Sequence, residues 1–548
     1  MPRWPVRASC LAASICLLAA PSARPSAAPG TSDGVSGTRI RADVEFLADD
    51  LLEGREAGTR GYDLAARYAA AALKGAGYAP GADDGTYFQQ VPFIVSTPVA
   101  ATLTVTAGGT ASAIPLPGEG LVSASASATI VQVDAPVVFA GFGVTAPEFG
   151  HDDYASLDVR GKVVALLYNA PASMPSEPRA YYASTDHKLR NAADHGAIAV
   201  VTLLGPDDVR RFPWDQAKAL FGRPGLAWAS EDGTPGAVES RLSAVAFLSP
   251  AGSARLFAAA PITYEQALEA GRAGRAGGAP LNASVAITAT TRHARMSSPN
   301  VVGVLEGSDP ALAATSLVLT AHLDHTGTLP PGDGDRIHNG AYDNATGTAI
   351  VLEVARALAA GPVAPRRTVV VALVMAEEKG LLGSDYFARH PVKAAGRMIA
   401  NVNLDMPVFL AASSDLVAFG SQNSSLDAVV RKAAADLGYT LSPDPMPEEN
   451  IFVRSDQYSL VKQGVPAVYL MPGFTAADPG VNGQQVFGGF LSAHYHRPSD
   501  DLSLPMDLAA VERFARANLA VARAIADDPV EPAWKPDNFF GKKFGARR

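Results

Sequence analysis

From about Pro299 onward the chain alternates between two hydrophobic textures. Continuous apolar, β-branched runs ("SLVLTAHL", "TVVVALVMA", "MIANVNLDM" and "VPAVYLMPG") predict strands buried on both faces. Between them, "NATGTAIVLEVARALAAG", "LLGSDYFARH", "SLDAVVRKAAADLGY" and "DLAAVERFARANLAVARAIADD" repeat apolar residues at the period of an amphipathic helix. Strands alternating with helices predict an α/β fold, a three-layer sandwich around a mixed, largely parallel sheet. Nearer the start, "TRIRADVEFLADDLLEGREAGTRGYDLAARYAAAALKGAGY" predicts two helices around a turn at Glu53 to Gly61. From Gln89 to Val144, Val/Thr/Ala alternation broken by Gly and Pro predicts short strands. Two apolar strands follow, at "GKVVALLYNAP" and "GAIAVVTLLGP", with a helix between them at "DHKLRNAADH". That middle third reads as a smaller, β-rich unit.

Composition narrows the chemistry. Arg3 and Arg7 precede an apolar run, Ala8 to Ala20, too short to span a membrane, and small residues follow at Ala23 and Ala28. This pattern predicts a secretory signal peptide, a secreted or periplasmic protein, and no stable membrane insertion after cleavage. Cys10 and Cys16, the chain's 2 cysteines, both fall inside that segment. The mature protein therefore lacks disulfides, thiolate ligands and cysteine nucleophiles, and any metal must be held by His, Asp and Glu. A formal net charge of −9 with no extended basic stretch argues against nucleic-acid partners. The basic end, "GKKFGARR", reads as a short solvated tail.

In "VVVALVMAEEKGLLGS" a buried strand ends in two adjacent carboxylates, Glu377 and Glu378. Burying one is costly and burying two more so, unless a cation compensates them. In open α/β sheets ligands sit beyond the carboxyl ends of strands. That edge collects His322, Asp324 and His325 from "SLVLTAHLDH", Asp343 from "NGAYDNATG", Asp405 from "NVNLDM", and His494 and His496 from "SAHYHRPSDD". Singly, Asp343 reads as a helix N-cap and each histidine as a structural one. Jointly they call for divalent cations, and oxygen and nitrogen donors suit zinc, with manganese or cobalt as alternatives.

The motifs "AHLDH", "GAYDNATGTAIVLEVARAL", "AEEKGLLGSDYF", "NLDM" and "YHRPSDDL" together resemble the co-catalytic di-zinc aminopeptidases of peptidase family M28, the leucine aminopeptidase and glutamate carboxypeptidase type. "VVFAGFGVTAPEFGHDDYASLDVRGKVVALLY" resembles the protease-associated (PA) domain often inserted in them. The resemblance implies a division into 1–28 signal and processing region, 29–129 N-terminal catalytic part, 130–288 PA insert, 289–530 metal-binding catalytic part and 531–548 tail. It implies two zinc ions, His322 and Asp405 on one, Glu378 and His496 on the other, with Asp343 bridging through a residue whose peptide bond to Asn344 is often cis in the family. Asp324 would orient the His322 ring, Glu377 would be the general base, and Tyr495 would steady the oxyanion. His325 and His494 flank these positions without an assigned part. "VRSDQYSLVKQGVPAVYL" resembles a segment near the substrate pocket, which makes Ser455 and Asp456 candidates for contacting substrate. The resemblance implies peptide substrates, with an aminopeptidase as the leading expectation. A carboxypeptidase or dipeptidase of the family stays open, as, further off, do a glutaminyl cyclase and an inactive binding homologue. The oligomeric state stays open too.

Overall fold

Apolar runs of this kind require cover on both faces of a sheet, and the computed structural model of the chain supplies it. It describes residues 33–547 apart from residue 237 and residues 275–276, so the signal-peptide segment lies outside the described residues. The unit from Gly34 onward is organised around one large sheet. Its main strands, in chain order, begin with β1 (Phe88–Ala107), β2 (Gly120–Val122), β3 (Ile130–Phe139), β4 (Val163–Leu167), β5 (Ala199–Leu203) and β6 (Ala244–Leu248). They continue with β7 (Ala279–Leu305), β8 (Thr315–His322), β9 (Thr368–Val374), β10 (Arg397–Asn403), β11 (Asp415–Phe419), β12 (Thr440–Ser442) and β13 (Ala467–Pro472). Their order is β12-β11-β13-β10-β8-β9-β7-β3-β4-β5-β6-β2, with β1 lying along β7.

In the half that carries the candidate site, β9, β8, β10 and β13 run parallel. Alternate residues of β9 enter separate cores. Val369, Val371 and Leu373 pack with Ile350 and Leu358 of the Thr346–Ala360 helix, and Val370, Ala372 and Val374 pack with Phe387 and Leu460 on the opposite face. Helices therefore cover both sides, which is the expected three-layer arrangement. The Gly37–Leu47 helix is tied onto this layer through buried Glu353, whose carboxylate accepts from Arg39 Nε at 3.0 Å and Ser36 N at 2.6 Å.

Two sequence expectations are corrected. The alternation from Gln89 to Val144 predicts short strands only. Its first part is instead the single 20-residue strand β1, paired antiparallel along the 27-residue β7. β7 belongs to both halves of the sheet, pairing with β3 through its first part and with β9 through its last. The basic C-terminus is not a solvated tail. The Asn538 side chain caps a short helix, Phe539–Phe544, that buries Phe540 and Phe544. Phe540 packs on Phe452 (ring centroids 5.2 Å apart), and Phe539 meets Tyr181 at 5.4 Å and Phe149 at 6.3 Å. The tail thus joins the 149–182 region to the segment just before Ser455. Among the described residues no helix is long and apolar enough to cross a membrane.

Phe540→Ala is expected to lower the unfolding free energy by about 3–5 kcal/mol, as for other buried aromatics cut to alanine. Urea unfolding of the purified variant measures it, and a loss below about 1 kcal/mol would show the docked helix to be dispensable.

Candidate metal centre

Parallel strands deliver their ends to one place. His322 closes β8, Glu377 and Glu378 follow β9, and Asp405 follows β10, all at the carboxyl edge of the sheet. Asp343 arrives from the segment before the Thr346–Ala360 helix and His496 from the loop after the Gly483–Ala493 helix. The two oxygens of Asp343 face different imidazoles: Oδ1 lies 3.2 Å from His322 Nε2, and Oδ2 lies 3.2 Å from His496 Nε2. His322 Nε2 is also 3.2 Å from Asp405 Oδ1, and His496 Nε2 is 3.0 Å from Glu378 Oε2. The carboxylate of Asp343 therefore stands between a His322–Asp405 half and a Glu378–His496 half.

The supporting bonds explain why these loops hold their shape. Asp500 accepts from the main-chain N–H groups of Tyr342 (2.9 Å) and Asp343 (3.0 Å). The Asp343–Asn344 peptide bond is cis. Asn344 accepts from Gly347 N and Met406 N and donates to the Leu404 carbonyl at 3.0 Å, locking the Asp343 loop to the Asp405 loop. Gly347 must lack a side chain, since a Cβ there would stand 2.1 Å from Asn344 Oδ1. Tyr469 donates its hydroxyl to the Asp405 carbonyl at 2.6 Å. Beneath the site lies Arg55, wholly buried, donating to the carbonyls of Leu47, Leu323, Asn339 and Gly340.

Electrostatics separates the two glutamates. Burial raises Glu377 well above the usual carboxylate range, and the charges of Asp405 and Glu378 add to this against the pull of His322. Burial works the same way on Glu378, but His496 and His325 outweigh it and hold Glu378 well below that range. Burial opposes charge on His322 and His496, yet Asp405 and Glu377 raise the first and Glu378 the second. Burial lowers Arg55 to about 10, while Asp324 and Asp500 resist the loss of its charge.

The other expected residues have contacts of their own. The His322 ring approaches the Asp324 main-chain carbonyl (Nδ1 to O, 3.1 Å) more closely than the Asp324 carboxylate (3.9 Å), which instead accepts from Glu377 N at 3.2 Å. Tyr495 stacks on His496, ring centroids 3.9 Å apart, and burial raises its hydroxyl to about 12. Ser455 and Asp456, expected along a substrate pocket, are buried (2% and 0% exposed), and Ser455 accepts from Asn403 Nδ2 at 2.8 Å. Ser455 thereby partners a buried polar residue at the end of β10. His494 turns outward to Ser499, away from the donors. Sequence reasoning missed Arg55, Asn344, Asp500 and Tyr469. Asn344, Asp500 and Tyr469 lie inside segments quoted for the resemblance, and Arg55 lies in the turn between the first two predicted helices, where nothing in its own residue type marks it. Two arginines of the middle third reach loops of the later part of the chain: Arg223 donates to the Thr326 carbonyl at 3.0 Å, and Arg179 to the Pro447 carbonyl at 3.2 Å.

His322, Asp343 and Asp405 offer donor atoms within 4.8 Å of one another, as do His325, Asp343 and Glu378. Glu378 Oε1 pairs with His325 Nδ1 at 2.6 Å. Imidazoles and carboxylates that converge in this way fit zinc-type ions. An α/β sheet with two such donor groups at its carboxyl edge is the framework of a metal-dependent hydrolase. Residues 300–522 match the model of Peptidase family M28. A curated relative, aminopeptidase NAALADL1 of Mus musculus, is 31% identical over 138 residues, 24% of this chain and 17% of the relative. A probable zinc metalloprotease of Leptosphaeria maculans is 37% identical over 97 residues, 16% of this chain and 20% of the relative. The chain thus spans about a fifth of the length of these curated relatives. The structure of an aminopeptidase from Aneurinibacillus sp. strain AM-1 shares the fold, with a TM-score of 0.52 at 20% identity over 92% of this chain and 97% of that one.

Asp500→Ala is expected to destabilise the protein by about 1–3 kcal/mol for each of the two buried N–H groups it orphans. Denaturant titration against wild type measures this. An unchanged midpoint would remove Asp500 from the support of the Asp343 loop.

Proposed function

We propose that this protein is a zinc-dependent exopeptidase, an aminopeptidase that removes residues from the free N-terminus of peptides outside the cytosol. The observation that carries the reading is Asp343, each of whose oxygens faces a different imidazole, with Glu377 beside both groups yet paired to neither. His322 and Asp405 would hold one zinc, Glu378 and His496 the other, and Asp343 would bridge them. A metal pair held this way supplies Lewis acidity toward the scissile carbonyl and makes water a nucleophile near neutral pH.

The chain's own groups do the rest. Glu377 is the general base: it takes a proton from the attacking water and delivers it to the leaving amine. Burial raises its proton affinity, which suits a group that must accept and then release. Tyr495, kept protonated by burial, donates its hydroxyl to the oxyanion that develops on the carbonyl oxygen. A PA-type insert at 130–288 and an N-terminal signal peptide accompany this proposal.

Glu377→Gln is expected to keep both zinc ions and lose about 100- to 10,000-fold in turnover, the usual contribution of a positioned acid–base group. Wild-type rates in that variant would sink the assignment. His322→Ala and Asp343→Ala should lose zinc as well as activity, read by elemental analysis of the dialysed proteins. Chelator-sensitive release of the first residue from unblocked peptides, absent for N-terminally blocked ones, would establish the aminopeptidase. Cleavage that ignores the N-terminal block but needs a free C-terminus would turn the assignment to a carboxypeptidase.

A further inference from the structure

Tyr168 takes no part in the metal centre, and its setting is unusual for an aromatic side chain. It follows β4 in the middle third of the chain, where its main-chain N–H donates to the Leu203 carbonyl at 3.2 Å. Asn169 then turns the chain with a φ of 67° and donates through Nδ2 to Asp208 Oδ1 at 3.1 Å. The backbone is thus fixed, yet the Tyr168 side chain is 41% exposed. A single exposed aromatic needs no explanation. Here, however, burial raises the hydroxyl against the pull of Arg454, and Asp208, Arg211 and Glu449 are the other charges that act on it. A side chain open to solvent that still carries a burial penalty stands in a cleft.

Arg454 belongs to the same cleft. Its side chain is 55% exposed, and Nη1 donates to the Glu449 carbonyl at 3.0 Å, while Arg211 Nε from the middle third lies 3.5 Å from Glu449 Oε1. Burial lowers the proton affinity of the Arg454 guanidinium, but Tyr495, Tyr168, Glu449 and Glu377 outweigh it. One cation is thus near Tyr168, the Tyr495 hydroxyl and the Glu377 carboxylate together. The middle third is also anchored here. Trp228 Nε1 donates to Asp385 Oδ2 at 3.1 Å in the helix that follows Glu378, and Arg223 donates to the carbonyl of Thr326, the residue after His325. In the proposed reaction Glu377 hands its proton to the leaving nitrogen, so the part of the peptide that leaves starts beside Glu377. We propose that Tyr168 is a specificity-determining residue whose ring packs against apolar side chains of the substrate beyond the released residue. The inference rests on the aminopeptidase reading above and deepens it: the substrates are peptides whose downstream residues reach the middle third, rather than isolated aminoacyl groups. A tyrosine suits such a place, because its ring is apolar and its hydroxyl stays wet.

The test compares full-length wild type with Tyr168→Ala and Tyr168→Phe on two substrates that begin with the same residue. One is an aminoacyl amide, whose leaving group is ammonia, and the other a hexapeptide with leucine at its second and third positions. In Tyr168→Ala the KM for the hexapeptide is expected to rise about 3- to 10-fold with little change in kcat, and kcat/KM for the amide to fall far less. Tyr168→Phe keeps the ring and should stay within about 2-fold of wild type on the hexapeptide. A fall in kcat with KM unchanged, or equal losses on both substrates, would show a structural role and overturn the proposal. An unchanged KM in Tyr168→Ala overturns it as well, and so does a loss in Tyr168→Phe as large as in Tyr168→Ala, which would put the contact on the hydroxyl. Wild-type protein that releases the first residue from neither substrate overturns the aminopeptidase reading itself, which separates that failure from this one.

Discussion

Like charge crowded into a buried sheet edge is the constraint around which this protein is built. Three parallel strands end within reach of one another, and each ends in acids: Asp324 after β8, Glu377 and Glu378 after β9, Asp405 after β10. Asp343 joins them from the neighbouring loop. Low dielectric makes such a group intolerable without opposite charge. The protein supplies some itself, through His322 and His496 against Asp343 and through Arg55 beneath. In the proposed function the rest falls to bound cations, which would turn a folding penalty into a binding site.

The scaffold answers the same constraint with rigidity. Asp343 is set by Asp500, the Asp343 loop is set against Asp405 by Asn344, and Tyr469 holds the Asp405 carbonyl. Most of these bonds end on main-chain atoms. Carbonyls and N–H groups have no alternative conformers to fall into once strands and helices fix them, so acids bound to them keep their spacing.

What is legible in the residues reflects this physics. The β8, β9, β10 and β13 runs are readable because burial on both faces leaves long apolar words with charges only at their ends. The side chains that converge around Asp343 are readable because each carries its chemistry in its own side chain. Arg55 is not, since its partners are carbonyls, which every residue type possesses. Pro92 and Pro98 break up the pattern of β1, and its continuity comes from β7, a partner about two hundred residues away that local pattern cannot reveal. The end of the chain misleads for a related reason. Lys542, Lys543 and the last arginines set its apparent character, while Phe540 and Phe544, which decide where it goes, are too few to show a period.

The two adjacent glutamates show how fold and chemistry meet. Had β9 simply continued, successive side chains would have pointed to opposite faces of the sheet. The strand stops at Val374 instead, and Ala376 takes a left-handed conformation with φ of 52°. Met406 (φ 42°) follows Asp405 in the same conformation, and His496 itself adopts it (φ 53°). For residues other than glycine each such turn costs on the order of 1–3 kcal/mol and persists only where the surroundings over-determine it. His496 is a proposed metal ligand, Met406 follows one, and Ala376 stands two residues before Glu378. The turn at Ala376 brings both glutamates to the carboxyl edge, where Glu378 meets the imidazoles and Glu377 meets none of them. Local backbone strain, supported by two well-packed cores, is thus what sets neighbouring residues of one type in different surroundings, which the proposed function uses as an anion held for a cation and a base kept ready for a proton.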